Sequence, residues 1–156
     1  MALIILSYSL IAIVLLLLAT YIYYEVTLFA WNFINKCCKQ KAKSNIFVII
    51  LFAMLGHILA ISTYAIAYYI SVNHFPAYGA LDNLIHLDHS LNFFDNFYFS
   101  ASTYTSLGYG DITPIGPIRI LAVSEAIVGL VLIAWSASSC YLVMEDAWKF
   151  KKQKQD

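Results

Sequence analysis

Three long apolar stretches decide what this chain can fold into. Ala2–Tyr24 contains no charged side chain and is rich in leucine and isoleucine. As an α-helix rising about 1.5 Å per residue it reaches roughly 35 Å, enough to cross the hydrocarbon core of a bilayer. Ile46–Ile70 is a second such run, with the single histidine His57 inside it, and Ile118–Leu142 is a third, carrying Arg119 at its start and Glu125 within. Backbone in lipid must satisfy its own hydrogen bonds, and runs of this length do so as helices. A cleaved leader is the competing reading of the first run. It requires a positive start and a shorter apolar core, and residues 1–24 have neither. Composition agrees: 62% hydrophobic against 12% charged residues cannot clothe a water-soluble exterior.

The lysines set the expected topology. Lys36, Lys39, Lys41 and Lys43 fall between the first and second runs, and Lys149, Lys151, Lys152 and Lys154 follow the third. Three crossings put both groups on one side, which the positive-inside rule makes the cytosol. The N-terminus is then outside and the C-terminus cytosolic, in a plasma or inner membrane. Tyr21, Tyr23, Tyr24, Trp31, Tyr68, Tyr69 and Trp148 gather near the expected boundaries, as an interfacial belt requires. A formal net charge of zero gives no basic field for nucleic acid. Cys37, Cys38 and Cys140 form no disulfide or zinc pattern and read as inert thiols, with acylation of Cys37 or Cys38 a secondary reading at a membrane boundary.

Between the second and third runs the text changes twice. Ser71–Ser90 is polar, with Pro76 and Gly79, and reads as a loop. From Leu91 the chain is apolar and aromatic but too short to span, and it runs straight into a glycine-rich turn. Such a segment reads as a re-entrant helix, because irregular backbone at membrane depth is tolerated only where it is buried in protein or lines a water-filled path.

That turn carries the chemistry. Stripping water from a cation requires oxygens spaced to replace its hydration shell. Successive backbone carbonyls supply them if alternate residues adopt angles open mainly to glycine, which Gly108 and Gly110 permit. Thr105-Ser106-Leu107-Gly108-Tyr109-Gly110-Asp111 resembles the signature of small pore-only potassium channels, commonly Thr-Val-Gly-Tyr-Gly-Asp. The resemblance covers about Ile46 to Met144. It implies an all-α membrane protein, with three transmembrane helices, a re-entrant pore helix and a selectivity-filter loop, assembled as a fourfold homotetramer embedded in lipid.

On the resemblance, the chain divides into an additional N-terminal helix (1–30), a basic linker (31–45), a pore domain (46–144) and a basic tail (145–156). Within the pore domain the outer helix is 46–70, the extracellular loop 71–90, the pore helix 91–105, the filter 106–110 and the inner helix 118–142. The carbonyls of Ser106, Leu107, Gly108 and Tyr109 are then the stacked potassium sites, with the Ser106 hydroxyl the innermost ligand and K+ the only non-protein component. Tyr109 is expected to pack on Tyr98 or Phe97, and Thr105, Asp111, Ser102, Tyr98 and Glu125 to support the loop. Asp95 is expected at the start of the pore helix as a cap or a charge on its positive end. Ser106 and Leu107 depart from the usual threonine and valine while keeping the coordinating atoms. Ser102 stands where some relatives carry a glutamate paired with the aspartate matching Asp111.

Other residues are weighed beside these. Glu125 lies about 10 Å along the third helix, where a carboxylate is costly and marks a role. Bonds to pore-helix hydroxyls such as Ser102 or Thr103, in its own or a neighbouring subunit, and a structural rather than gating role, are expected of it. Gly129 is either a gating hinge or a close-packing site, and both readings stand. His57 reads as a hydrogen-bonded packing residue. His74, Asp82, His86, Asp88 and His89 in the outer loop read as ordinary solvated groups, with a zinc or pH site the sharper alternative. No helix carries regularly spaced cations, so no voltage sensor is expected, and no cytosolic ligand-binding domain is expected after Met144. No nucleophile–base set or paired carboxylates suggest an enzyme. Two other functions stay open: a non-selective cation channel, and a non-conducting subunit that modifies other channels.

Overall fold

The computed structural model describes residues 2–37, 42–75, 80–83 and 91–152. Four helices dominate: α1 (Ala2–Cys37), α2 (Ala42–His74), α3 (Phe93–Tyr104) and α4 (Arg119–Lys152), with β1 (Ala80–Asn83), β2 (Ile112–Ile115) and a 3-10 turn at Gly116–Ile118 between them. Three helices are long and apolar enough to cross a membrane, over Ala2–Lys36, Ile46–His74 and Gly116–Glu145. This is an all-α membrane protein.

The helices outrun the apolar windows that announce them. The expected linker over 31–45 is mostly helix, since α1 persists to Cys37 and α2 begins at Ala42. Likewise α4 continues through the expected tail as far as Lys152. Asparagine, lysine and glutamate end a hydrophobic window but do not break a helix once it has left the bilayer. In the extension of α4, Glu145 and Lys149 form an i,i+4 ion pair at 2.7 Å. Cys38, Lys39, Lys41 and Lys154 lie outside the described residues.

Packing makes α2 antiparallel to α1 and α4. Ala30 and Ile34 of α1 cluster with Ile49 of α2 and Val143 of α4 at one end of the molecule. The lysine-bearing ends of all three spanning helices therefore meet at the same end. A second cluster, built on Tyr23, Tyr64, Tyr68, Tyr104, Leu121 and Leu132, ties all four helices together. Outward faces are apolar too, with Leu3 78% and Leu17 62% exposed. Such a surface suits acyl chains and not water.

The region read as a loop over 71–90 also holds order. α2 runs through His74, and β1 pairs antiparallel with β2 in the register Ala80↔Ile115, Leu81↔Pro114, Asp82↔Thr113 and Asn83↔Ile112. Leu81 and Ile112 are buried beneath this ribbon. It ties the outer connection to the strand that leaves the glycine turn, on the route into α4. His86, Asp88 and His89 lie outside the described residues. No cluster of three potential metal ligands occurs among the described residues.

Candidate functional site

The site is built by α3 and the turn that follows it. Asn92 caps α3: its Oδ1 accepts the Asp95 backbone N–H at 3.1 Å, and Asp95 Oδ2 accepts the Asn92 N–H at 2.8 Å. Asp95 is thus the reciprocal half of a capping box, and the helix starts two residues later than the apolar text. At the other end α3 stops at Tyr104. The Thr105 hydroxyl donates to the Ala101 carbonyl at 2.8 Å, and the Ser106 N–H donates to the Thr103 carbonyl at 2.9 Å. The Ser102 carbonyl then accepts the N–H of Leu107 at 2.9 Å and of Gly108 at 3.2 Å, with the Thr105 hydroxyl also 3.3 Å from it. Ser102, buried in α3, supports the turn through its backbone.

Beyond Tyr104 every second residue is left-handed: φ is +57° at Ser106, +55° at Gly108 and +83° at Gly110. For both glycines an added Cβ would meet nothing within 4 Å, so backbone angle and not space demands glycine there. Ser106 is the one non-glycine residue at positive φ among those described. A β-branched threonine tolerates that region less well than serine, a physical reason for the unusual residue. Residues 105–110 are exposed in the single chain.

The walls of the turn are aromatic and acidic. Tyr109 stacks on Tyr98, ring centroids 6.1 Å apart and 7° from parallel. Of the two expected partners, Tyr98 is the one it meets. Asp111 also acts on the exposed Tyr98 hydroxyl, its carboxylate raising the phenol above its usual pKa. Asp111 Oδ1 accepts the Ile112 N–H at 3.0 Å. The side-chain bond that Asp111 makes is thus to the backbone of the next residue, and not to Ser102.

Behind the turn lies Glu125, fully buried. Within the chain the pore-helix hydroxyl that bonds it is that of Ser100, rather than Ser102 or Thr103. The Tyr68 hydroxyl donates to Oε2 at 2.6 Å and the Ser100 hydroxyl bonds Oε1, while Ser100 also reaches the Ile61 carbonyl at 2.8 Å. Helical phase explains the difference. Asn96, Ser100 and Tyr104 recur every four residues and form the buried polar edge of α3, whereas Ser102 and Thr103 point elsewhere. That spacing is visible in the sequence and was the available signal. Glu125 links α2, α3 and α4. Glu125→Leu should strand the Tyr68 hydroxyl and lower stability by roughly 1–3 kcal/mol, read as earlier thermal unfolding in detergent, while Glu125→Gln keeps an acceptor and loses less.

Gly129 is buried where α4 crosses the end of α3. A Cβ there would lie 1.9 Å from the Tyr104 carbonyl oxygen. Close packing accounts for this glycine, and α4 is unbroken around it. His57 Nδ1 bonds the Tyr104 hydroxyl at 2.7 Å, in keeping with a hydrogen-bonded packing residue.

A family profile described as "Ion channel" matches residues 47–145, which span α2, α3, the turn and most of α4. The chain belongs to this ion-channel family, and the resemblance to small pore-only potassium channels drawn from residues 105–111 holds. It is similar over 40 residues to Protein LctB of Bacillus caldotenax, at 50% identity, covering 26% of this chain and 30% of that protein. Protein LctB of Geobacillus stearothermophilus is 45% identical over the same length and shares. The inward rectifier potassium channel Kirbac3.1 of Paramagnetospirillum magnetotacticum is 38% identical over 66 residues, covering 42% of this chain and 22% of that one. The matches thus span less than a third of each relative. No solved structure matches the chain.

Proposed function

We propose that this protein is a potassium-selective channel subunit, four copies of which place their 106–110 turns around one axis. The observation that carries the reading is the run of left-handed residues at 106, 108 and 110, directly after the C-terminal end of α3. One chain offers one such turn, and a filter of this kind needs four. In the tetramer the carbonyls of Ser106, Leu107, Gly108 and Tyr109 replace the water around a dehydrated K+, and the Ser106 hydroxyl adds the innermost oxygen. The Tyr98–Tyr109 stack keeps the ring from collapsing inward. The C-terminal end of each α3, with its partial negative charge, favours a cation in the space below. Exposure of residues 105–110 in the single chain fits a surface that neighbouring copies cover. The similarity to the potassium channel Kirbac3.1 supports the choice of ion.

The lysine-bearing ends lie in the cytosol and the β1–β2 ribbon outside, following the positive-inside rule. Flux assays on protein reconstituted in liposomes test this reading. Potassium gradients should drive flux that equal sodium gradients do not, and equal fluxes would refute selective conduction.

A further inference from the structure

The first helix lies outside the proposed conduction path, yet short contacts connect it to the end of the pore helix. Tyr23 of α1 is 1% exposed, and its ring centroid lies 5.0 Å from that of His57, tilted by 42°. Gly56 makes room for this ring, because a Cβ there would fall 2.8 Å from Tyr23 Cδ2. His57 in turn holds the Tyr104 hydroxyl at 2.7 Å through Nδ1, the two rings edge-to-face at 5.7 Å. Tyr104 is the last residue of α3 and stands two positions before Ser106. Its side chain is held from α2, and its carbonyl is seated against Gly129 of α4. The residue that launches the turn is thereby fixed from two directions.

We propose that Tyr23, His57 and Tyr104 are positioning residues for the filter, and that the first helix braces it through them. Tyr23 sets the His57 ring, His57 sets the Tyr104 hydroxyl, and Tyr104 sets where α3 delivers residues 106–110. The inference rests on reading that turn as a selective filter. Its physical basis is that ligand oxygens discriminate between ions only when held to within about half an ångström by a supporting shell. Releasing the Tyr104 hydroxyl frees the segment that aims the carbonyls, so discrimination falls before the fold does. Ordinary core packing predicts the reverse, an effect on assembly with selectivity unchanged.

The test measures K+:Na+ permeability ratios from reversal potentials of the full chain reconstituted in bilayers. Tyr104→Phe, which removes one oxygen, should lower the ratio about fivefold, the worth of one hydrogen bond. Tyr23→Leu should lower it in the same direction although α1 is remote from the ions, while Tyr23→Phe keeps the ring and leaves the ratio unchanged. Once Tyr104→Phe has cut the link, adding Tyr23→Leu should lower the ratio no further. Wild-type ratios in assembled Tyr104→Phe and Tyr23→Leu proteins would overturn the brace. If Tyr23→Leu does not assemble, Tyr104→Phe decides alone, and an unchanged ratio overturns the proposal. Wild-type protein that passes both ions equally is a separate outcome: it removes the filter reading before any variant is made.

Discussion

Gly108→Ala is expected to abolish potassium-selective flux while leaving the helices and their packing in place. Gly108 sits at φ +55° with open space around its missing side chain. The penalty is therefore conformational, about 1–2 kcal/mol for each alanine forced into the left-handed region, and it is incurred four times in a tetramer. The chain relieves it by rotating the peptide out of that region, which turns a carbonyl away from its neighbours. A cation site that has lost four of its oxygens no longer replaces the hydration shell. The measurement is liposome flux alongside circular dichroism. Unchanged helicity with lost selective flux is the expected pair, and wild-type flux would contradict the role given to this backbone.

Gly129→Ala should have the opposite character and damage the assembly itself. The new Cβ would lie 1.9 Å from the Tyr104 carbonyl oxygen and 2.8 Å from its carbon. Both are main-chain atoms at the end of α3, so no side chain can swing aside. Either α4 moves away from α3 or the pore helix shifts, and both changes break the contacts around Glu125. Overpacking of this kind costs about 3 kcal/mol, the upper end of its usual range. A lower melting temperature and loss of the purified oligomer on size exclusion are the expected readouts. A stable Gly129→Ala protein with altered opening alone would favour a hinge over a packing contact.

What could be read from the text alone follows the strength of the physical constraint. The bilayer demands long uncharged helices, so the three spanning segments were legible, and peptide geometry demands glycine at alternate positions, so Gly108 and Gly110 stood out. Helix ends were less legible. Lys36 marks the edge of an apolar window, but α1 continues through it because nothing in water opposes the helix. The ribbon of Ala80–Asn83 with Ile112–Ile115 was not legible at all, since two four-residue strands far apart in sequence carry no periodic signal. The pore-helix hydroxyl that Glu125 meets is Ser100, which the i,i+4 edge Asn96–Ser100–Tyr104 picks out over Ser102 and Thr103. Nor did the text say that Ser106 would share the glycines' left-handed backbone. The run of contacts from Tyr23 to His57 to Tyr104 was invisible because it joins side chains of three helices.

The most direct measurement is a density map of the purified protein in potassium, viewed along its symmetry axis. Four subunits should surround one axis, with a column of ion peaks between the carbonyls of Ser106, Leu107, Gly108 and Tyr109. Particles of any other symmetry, or Gly-Tyr-Gly segments lying far from the axis, would contradict it.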